Sequence, residues 1–242
     1  MEPTSGTAEK KRHPTAEQLP LELRCAPAGW LDEPRCTPGG WLDEMREFRA
    51  RVAWNGGQRP AFRRADGGFH DPDPHDAPAY HLILREPLGA RIVGCVRYAR
   101  LEALPASRIR EINPRAAAEM VTAARCADSD VLEGGRLIVD PAWRQHGLAS
   151  HLLLAGTALA RVLDRRLIWG TAGVREGQER VFLRLGYRTA DAPLAPAPHL
   201  DDDLRIIVCT PTEVPAEIEP LIGRLEPALR EWLVRVGGEG QR

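Results

Sequence analysis

The chain has 242 residues, enough for one well-buried core, and a formal net charge of −1, which leaves no global basic field to hold nucleic acid. Lys10 and Lys11 are the only lysines among 33 basic residues, an arginine skew that reads as compositional bias and lowers the weight of any single arginine. Cys25, Cys36, Cys95, Cys126 and Cys209 show no metal-ligand spacing, and no apolar run nears the ~18 residues of a membrane span. With no hydrophobic export segment at the start, the expectation is a reduced, cytoplasmic protein without a bound metal.

Residues 1–24 are polar with little periodicity and predict a mobile or loosely docked segment. Cys25–Arg35 is then echoed by Cys36–Arg46, with eight of eleven positions identical. Two copies fall short of the ~3 that a solenoid needs. Residues 1–40 are therefore expected to form a flexible arm carrying a tandem duplication, with Trp30 and Trp41 as partner anchors in the rival reading.

Leu42, Met45, Phe48 and Val52 recur at helical spacing and predict a helix over Trp41–Trp54, ended by Asn55-Gly56-Gly57. Residues 55–79 read as loop and include Asp73-Pro74-His75-Asp76, a turn-forming pattern. Tyr80, Leu82 and Leu84 alternate, as do Ile92, Gly94, Val96 and Tyr98 after a Pro87-Leu88-Gly89 turn, which predicts an antiparallel hairpin. Asn113-Pro114 is a cap followed by a first-turn proline, opening a helix expected to run to Ala127.

The central stretch is Val131–Arg166. The strand Arg136–Val139 is broken by Asp140-Pro141, a polar turn follows, and Leu148, Leu152, Ala155, Leu159 and Val162 mark a helix with one apolar face. A strand feeding a glycine-containing turn and then a helix directs free backbone N–H groups at one point, where phosphate binds. Beyond it, a strand is expected over 167–172, a helix over 175–185 and a strand over Leu204–Thr210. A helical extension over 213–242 should be kinked or restarted at Pro220 and Pro227.

Arg144-Gln145-His146-Gly147-Leu148-Ala149 resembles the Arg/Gln-x-x-Gly-x-Gly/Ala signature of the GNAT acyltransferase superfamily, and Arg180–Tyr187 resembles its later helix ending in Gly-Phe or Gly-Tyr. The resemblance implies an α/β (α+β) GNAT fold over 41–212, a mixed central β-sheet flanked by helices. It also implies that Val139, Arg144, Gln145, His146, Gly147, Leu148 and Ala149 hold the phosphate-containing arm of an acyl thioester.

Residues 46–190 further resemble the acyl-homoserine-lactone synthases and related N-acyl amino acid synthases. The pieces that carry this are Arg49-Ala50-Arg51-Val52, Asp73–Asp76, Gly94–Arg97 and Glu133-Gly134-Gly135-Arg136. The likeness implies that Glu133, Arg136 and Arg97 serve the chemistry and that Asp73, Asp76 and Arg49 hold the acceptor. An amine attacking a thioester must lose a proton, and Glu133 is the candidate base. Strand alternation sets residues 133 and 136 on opposite faces unless Gly134-Gly135 forms a bulge. Structural ion pairs are the competing reading for Glu133, and a solvated turn for Asp73 and Asp76.

Two positions depart from the pattern. Phe182 stands where many GNAT enzymes carry a tyrosine that protonates the leaving thiolate. Ala53 stands where the homoserine-lactone synthases carry an aromatic, against S-adenosylmethionine as acceptor. The resulting expectation is an N-acyltransferase with no tightly bound cofactor, using acyl-CoA or acyl-carrier protein as co-substrate and a small amino-acid-like amine as acceptor. An acetyl-CoA-dependent acetyltransferase and a catalytically silent binding module remain the rivals. A slot for a medium or long acyl chain is expected from Leu101, Leu104, Ile109, Ile112, Met120 and Val121.

Overall fold

The alternating residues of the hairpin form β2 (Ala79–Arg85) and β3 (Ile92–Arg100), paired antiparallel with Leu82 opposite Val96. A computed structural model describes residues 14–25, 40–57, 59–87 and 91–239. Trp30, most of the duplication and the turn at 88–89 lie outside the described residues.

The sheet extends from the hairpin in both directions. On one side lies β1 (Leu21–Cys25), antiparallel to β2. On the other are β4 (Val131–Val139), β5 (Leu167–Gly173) and β8 (Asp202–Cys209), with the short β6 (Arg188–Thr189) and β7 (Ala195–Ala197) pairing β8. Among the described strands only β4 and β5 run parallel, and they pair just over Val131–Glu133 with Leu167–Trp169. Beyond that point β5 continues along β8 as far as Gly173. The edge of β4 from Gly134 to Val139 is left without a strand partner on that side.

Among the described residues six α-helices accompany this sheet. α4 (Leu148–Val162) covers one face, packing Leu148, Leu152, Ala155 and Leu159 on Leu82, Val96, Leu132 and Ile168. The opposite face carries two separate apolar clusters. One lies under α1 (Trp41–Trp54), around Met45, Phe48, Ile83 and Cys95. The other lies under α2 (Arg108–Ile112) and α3 (Pro114–Ala124), around Ile109, Ala117, Leu167 and Trp169. Asn113 caps α3 by accepting from the N–H of Ala116 at 3.0 Å, and Arg125 ends the helix at φ 49°, three residues before the expected end. α5 (Glu179–Arg184) is likewise shorter than expected.

Two terminal expectations change. The segment read as loosely docked supplies the edge strand β1 and buries Ala16, Leu19 and Leu23 in the main core. Its five residues were too few for periodicity to register, and its register is held partly by Glu22 pairing with Arg85 at 3.1 Å. At the other end, α6 (Glu219–Glu239) is continuous through Pro227, with Pro220 in its first turn, where the missing N–H costs nothing. Ile218, Ile222 and Leu229 join the core beside α4, and Arg161 forks onto Glu219 at 2.6 and 2.7 Å. The extension is thus part of the same packed unit.

Candidate active site

Between the two apolar clusters the sheet carries buried charge. Arg46 and Arg49 are one turn apart on α1 and point at the same place. Arg49, 1% exposed, grips the Asp76 carboxylate with both terminal nitrogens at 2.8 and 2.7 Å and places Nε 2.9 Å from Asp71 Oδ2. Arg46 donates to Asp76 from a third direction at 2.9 Å. Arg97 pairs with Asp73 and approaches Asp76 at 3.5 Å. Arg136 bridges Asp71 at 3.1 Å and Asp73 at 3.0 Å.

Charges taken out of water at this depth persist only when paired and hydrogen-bonded. Burial pushes the Asp76 carboxyl up, but the hydrogen bonds and charge of Arg49, helped by Arg46, hold it well below the usual carboxylate range. Burial likewise acts on Asp73, and Arg97 and Arg136 bring it down. Beside them His81 donates from Nε2 to the Asp76 carbonyl at 2.8 Å, and burial drives its pKa down to about 4, so the ring is neutral near pH 7.

A bulge aims Arg136 into this cluster. Cys95 pairs with Ile138 and Arg97 with Gly135, so Arg136 and Leu137 together oppose Val96. Arg136 takes φ 56°, a left-handed conformation that costs a non-glycine residue roughly 1–2 kcal/mol. The expected bulge is therefore present but centred on Arg136 and Leu137 rather than on Gly134-Gly135. Gly135 serves differently, leaving room for the Arg97 guanidinium above it.

Glu133 shares this sheet face but bonds elsewhere. Its carboxylate accepts from Ser107 Oγ, from the Arg108 N–H at 2.9 Å and from Trp169 Nε1 at 3.0 Å. Three of about four acceptor sites are thereby used, and the side chain is 2% exposed. It anchors the start of α2 to β4 and β5.

A cleft of about 380 Å³ opens where β4 and β5 part. Arg49, Asp71 and Arg136 stand at one wall, Arg144 and Ala149 at another, and Val139 along the free edge of β4. Asp73, Asp76, Arg97 and Glu133 lie behind the wall, and Gln145, His146, Gly147 and Leu148 do not line the cleft. Asp73 and Asp76 therefore hold arginines instead of facing the cleft. Within this charged cluster Asp71 is the carboxylate that faces the cleft, which Glu176 and Asp202 also line; Asp71 sits in an aperiodic loop, where no spacing signals it. Arg46 had a signal, its one-turn spacing from Arg49.

The turn between β4 and α4 has the geometry of an anion site. Asp140 accepts from the Ala142 N–H at 2.9 Å and fixes the turn, and Gln145 and Gly147 take φ 73° and 77°. His151 N–H donates to Gly147 O at 2.9 Å, while the N–H groups of Leu148, Ala149 and Ser150 precede the first intrahelical bond and point outward. A Cβ on Gly147 would meet nothing within 4 Å, so the glycine is needed for its φ and not for space.

Residues 53–154, from the last turn of α1 to the middle of α4, match the model of the acetyltransferase (GNAT) domain. That stretch is similar to a GNAT domain. The whole architecture, a mostly antiparallel eight-stranded sheet opened between β4 and β5, is the GNAT fold. BjaI, a CoA-dependent acyl-homoserine lactone synthase solved with SAM and isopentyl-CoA, superposes with a TM-score of 0.58 at 17% identity, covering 90% of each chain. TofI, solved in a ternary complex with an inhibitor and MTA, gives 0.59 at 18% identity over 86% of this chain and 98% of its own. The AHL synthase LasI gives 0.53 at 14% identity over 80% and 91%. At these identities the likeness is one of fold. No curated protein matches the sequence. Among the described residues, no helix is long and apolar enough to cross a membrane.

The residues expected to form an acyl slot lie elsewhere. Leu101, Leu104, Ile109, Ile112, Met120 and Val121 pack in the cluster under α2 and α3, and none of them lines the cleft. Its apolar wall comes from Val96, Leu153, Ile168, Val181, Phe182 and Ile207, on the α4 side of the sheet. Periodicity marks residues as buried but does not tell core filler from cavity wall.

Proposed function

We propose that this GNAT domain transfers an acyl group from an acyl thioester to the primary amine of a small, amino-acid-like acceptor. The observation that carries the reading is the cleft itself. It joins an anion site at the start of α4, an apolar interior and a wall of buried arginine–aspartate pairs. The donor's phosphates rest on the turn Arg144–Ala149, and its arm follows the edge of β4 at Val139. Asp71 and Arg136 match an ammonium and a carboxylate, the two charged groups of an amino-acid-like molecule.

In the transfer the amine nitrogen bonds to the thioester carbon, the C–S bond breaks, the amine gives up a proton to water, and the departing thiolate takes a proton from water and leaves as the free thiol. Arg49, Asp73, Asp76 and Arg97 act by positioning Asp71 and Arg136. Glu133, with three donors already bonded, holds the strands at the point where they separate. The acyl-homoserine lactone synthases share the fold, and BjaI is solved with SAM and isopentyl-CoA. Ala53 lines the cleft here, with no ring to stack on an adenine, which favours acceptors simpler than SAM.

The apolar wall points to a donor longer than acetyl, each buried methylene contributing about 0.8 kcal/mol. Thiol release measured with acetyl-, hexanoyl-, octanoyl- and palmitoyl-CoA, and with the same groups on acyl-carrier protein, over an amine panel including SAM, tests all of this. The expected profile rises steeply from two carbons to an optimum and then falls. A maximum at acetyl would return the protein to the small-molecule acetyltransferases, and no release from any donor would make it a binding module.

A further inference from the structure

Arg59 lines the cleft just after α1, half-buried, and takes no part in the scheme above. Arg49 and Arg136 on the same lining are each paired with aspartates. Arg59 pairs with no carboxylate among the described residues; its Nε donates to the Leu200 carbonyl at 3.1 Å, which ties the segment after α1 to the turn ahead of β8. The acids on that turn are engaged elsewhere. Asp201 pairs with Arg175 at 2.7 Å, and Asp203 lies 3.9 Å from the same guanidinium. Asp202 Oδ1 accepts from the N–H groups of Val174, Arg175 and Asp203. Glu176, which also lines the cleft, is exposed. Arg144, exposed and likewise without a carboxylate, belongs to the donor turn.

The backbone beneath Arg59 is held in place. Its N–H donates to the Trp54 carbonyl at 3.3 Å, and its carbonyl accepts from the Phe62 N–H at 3.3 Å. Arg63 then stacks over Trp54, 5.0 Å from the ring centroid, and over Phe69 at 5.7 Å, which fastens the segment to the end of α1. The Arg59 guanidinium is thus presented from a fixed loop with only its Nε donor used. The remaining Nη fork fits a carboxylate through two parallel hydrogen bonds. Asp71 and Arg136 already match the ammonium and α-carboxylate of an amino-acid-like acceptor. Arg59 is therefore left for a further charged group, and that group is an anion.

We propose that the acceptor carries an acidic side group, as aspartate and glutamate do, and that Arg59 is the residue that selects it. The inference rests on the acceptor reading of the cleft. Its test is a binding measurement, so that it is read independently of turnover. Isothermal titration, with CoA present, compares aspartate with asparagine and glutamate with glutamine, pairs that keep the shape and change the charge. The acidic member of at least one pair should bind about tenfold tighter or more. Arg59→Gln should bring that ratio close to one, and Arg59→Glu should turn the preference to ornithine. Thermal melts check folding. Arg59→Lys keeps the charge without the fork and should give an intermediate ratio; it decides if Arg59→Gln unfolds. Equal binding of acid and amide by the wild type, or an acid preference that survives Arg59→Gln, overturns the proposal. So does a change confined to CoA affinity, which would assign Arg59 to the donor. Thiol release with the same amines reports separately on transfer. Its absence from every donor would sink the acyltransferase reading while the binding ratios still judge Arg59.

Discussion

Arg97 lies against Gly135, its partner across the β3–β4 ladder, so closely that a Cβ on Gly135 would sit 3.0 Å from the guanidinium Nη2. That guanidinium also pairs with Asp73, which in turn pairs with Arg136 at the cleft. Gly135→Ala should therefore displace Arg97 by a few tenths of an ångström and loosen Arg136. We expect a several-fold loss in kcat/KM for the amine with donor KM unchanged. An unaltered acceptor profile in the folded variant would separate Arg97 from acceptor positioning.

The bidentate Arg49–Asp76 pair makes a stronger prediction. Removing one member leaves the other charge buried and unpaired, at a cost of about 3–5 kcal/mol. Arg49→Met and Asp76→Asn should each lower the urea midpoint sharply, and the double variant should lose less than the sum. Strict additivity would mean that the two side chains do not act as a unit.

Much of this arrangement is legible in the sequence, and for physical reasons. The 3.6-residue period of α1 and α4 and the alternation in β2 and β3 are local patterns, and these elements fall where the pattern puts them. Gly147 is legible because a strand-to-helix turn demands a left-handed residue. Asp71 is not, because loop residues reach the site through folding of the loop and carry no period. Nor is the true route of Glu133, whose three donors come from α2, its cap and β5, partners distant in sequence. The bulge is expected at the glycines, yet the chain places the strained φ on Arg136, whose pairing with Asp71 and Asp73 offsets the cost.

Glu133→Gln separates anchoring from base catalysis. A glutamine oxygen can accept from only part of the set formed by Ser107, Arg108 and Trp169, and its NH2 group faces donors. The expected loss is about 1–3 kcal/mol of stability, with turnover at a temperature well below the melt reduced by much less than the ~10²–10⁴ typical of a lost general base. A fall of that size in a stably folded variant would restore Glu133 as the base.

The edge strand predicts a limit to truncation. β1 contributes Leu23 to the core and covers the exposed edge of β2, so a chain starting at Trp41 loses both. Removal of residues 1–13 should leave the melting temperature within a few degrees of the full chain. Removal through Cys25 should lower it markedly and promote association through the bared strand. Equal melting of the two forms would show that β1 contributes nothing to the fold.

His81 gives the protein an acid-sensitive step distinct from that of its carboxylates. In the unfolded chain an imidazole takes up a proton near pH 6.5; in the fold, burial lowers this to about 4. Between those values the unfolded state binds more protons, so stability rises with pH across that window and falls as the solution is acidified. The loss from pH 6.5 to 4 should reach about 3 kcal/mol. Asp73 and Asp76 act in the same direction but lower, because their depressed pKa values withdraw stability only below the ordinary carboxylate range. His151, also lowered by burial, adds to the upper window and is left in place by the test. His81→Gln retains an N–H for the Asp76 carbonyl and does not titrate. Chemical denaturation of both proteins from pH 7 to 4 should give converging stabilities as the pH falls, the wild-type curve being the steeper. Parallel curves would show that the buried ring of His81 carries no proton linkage.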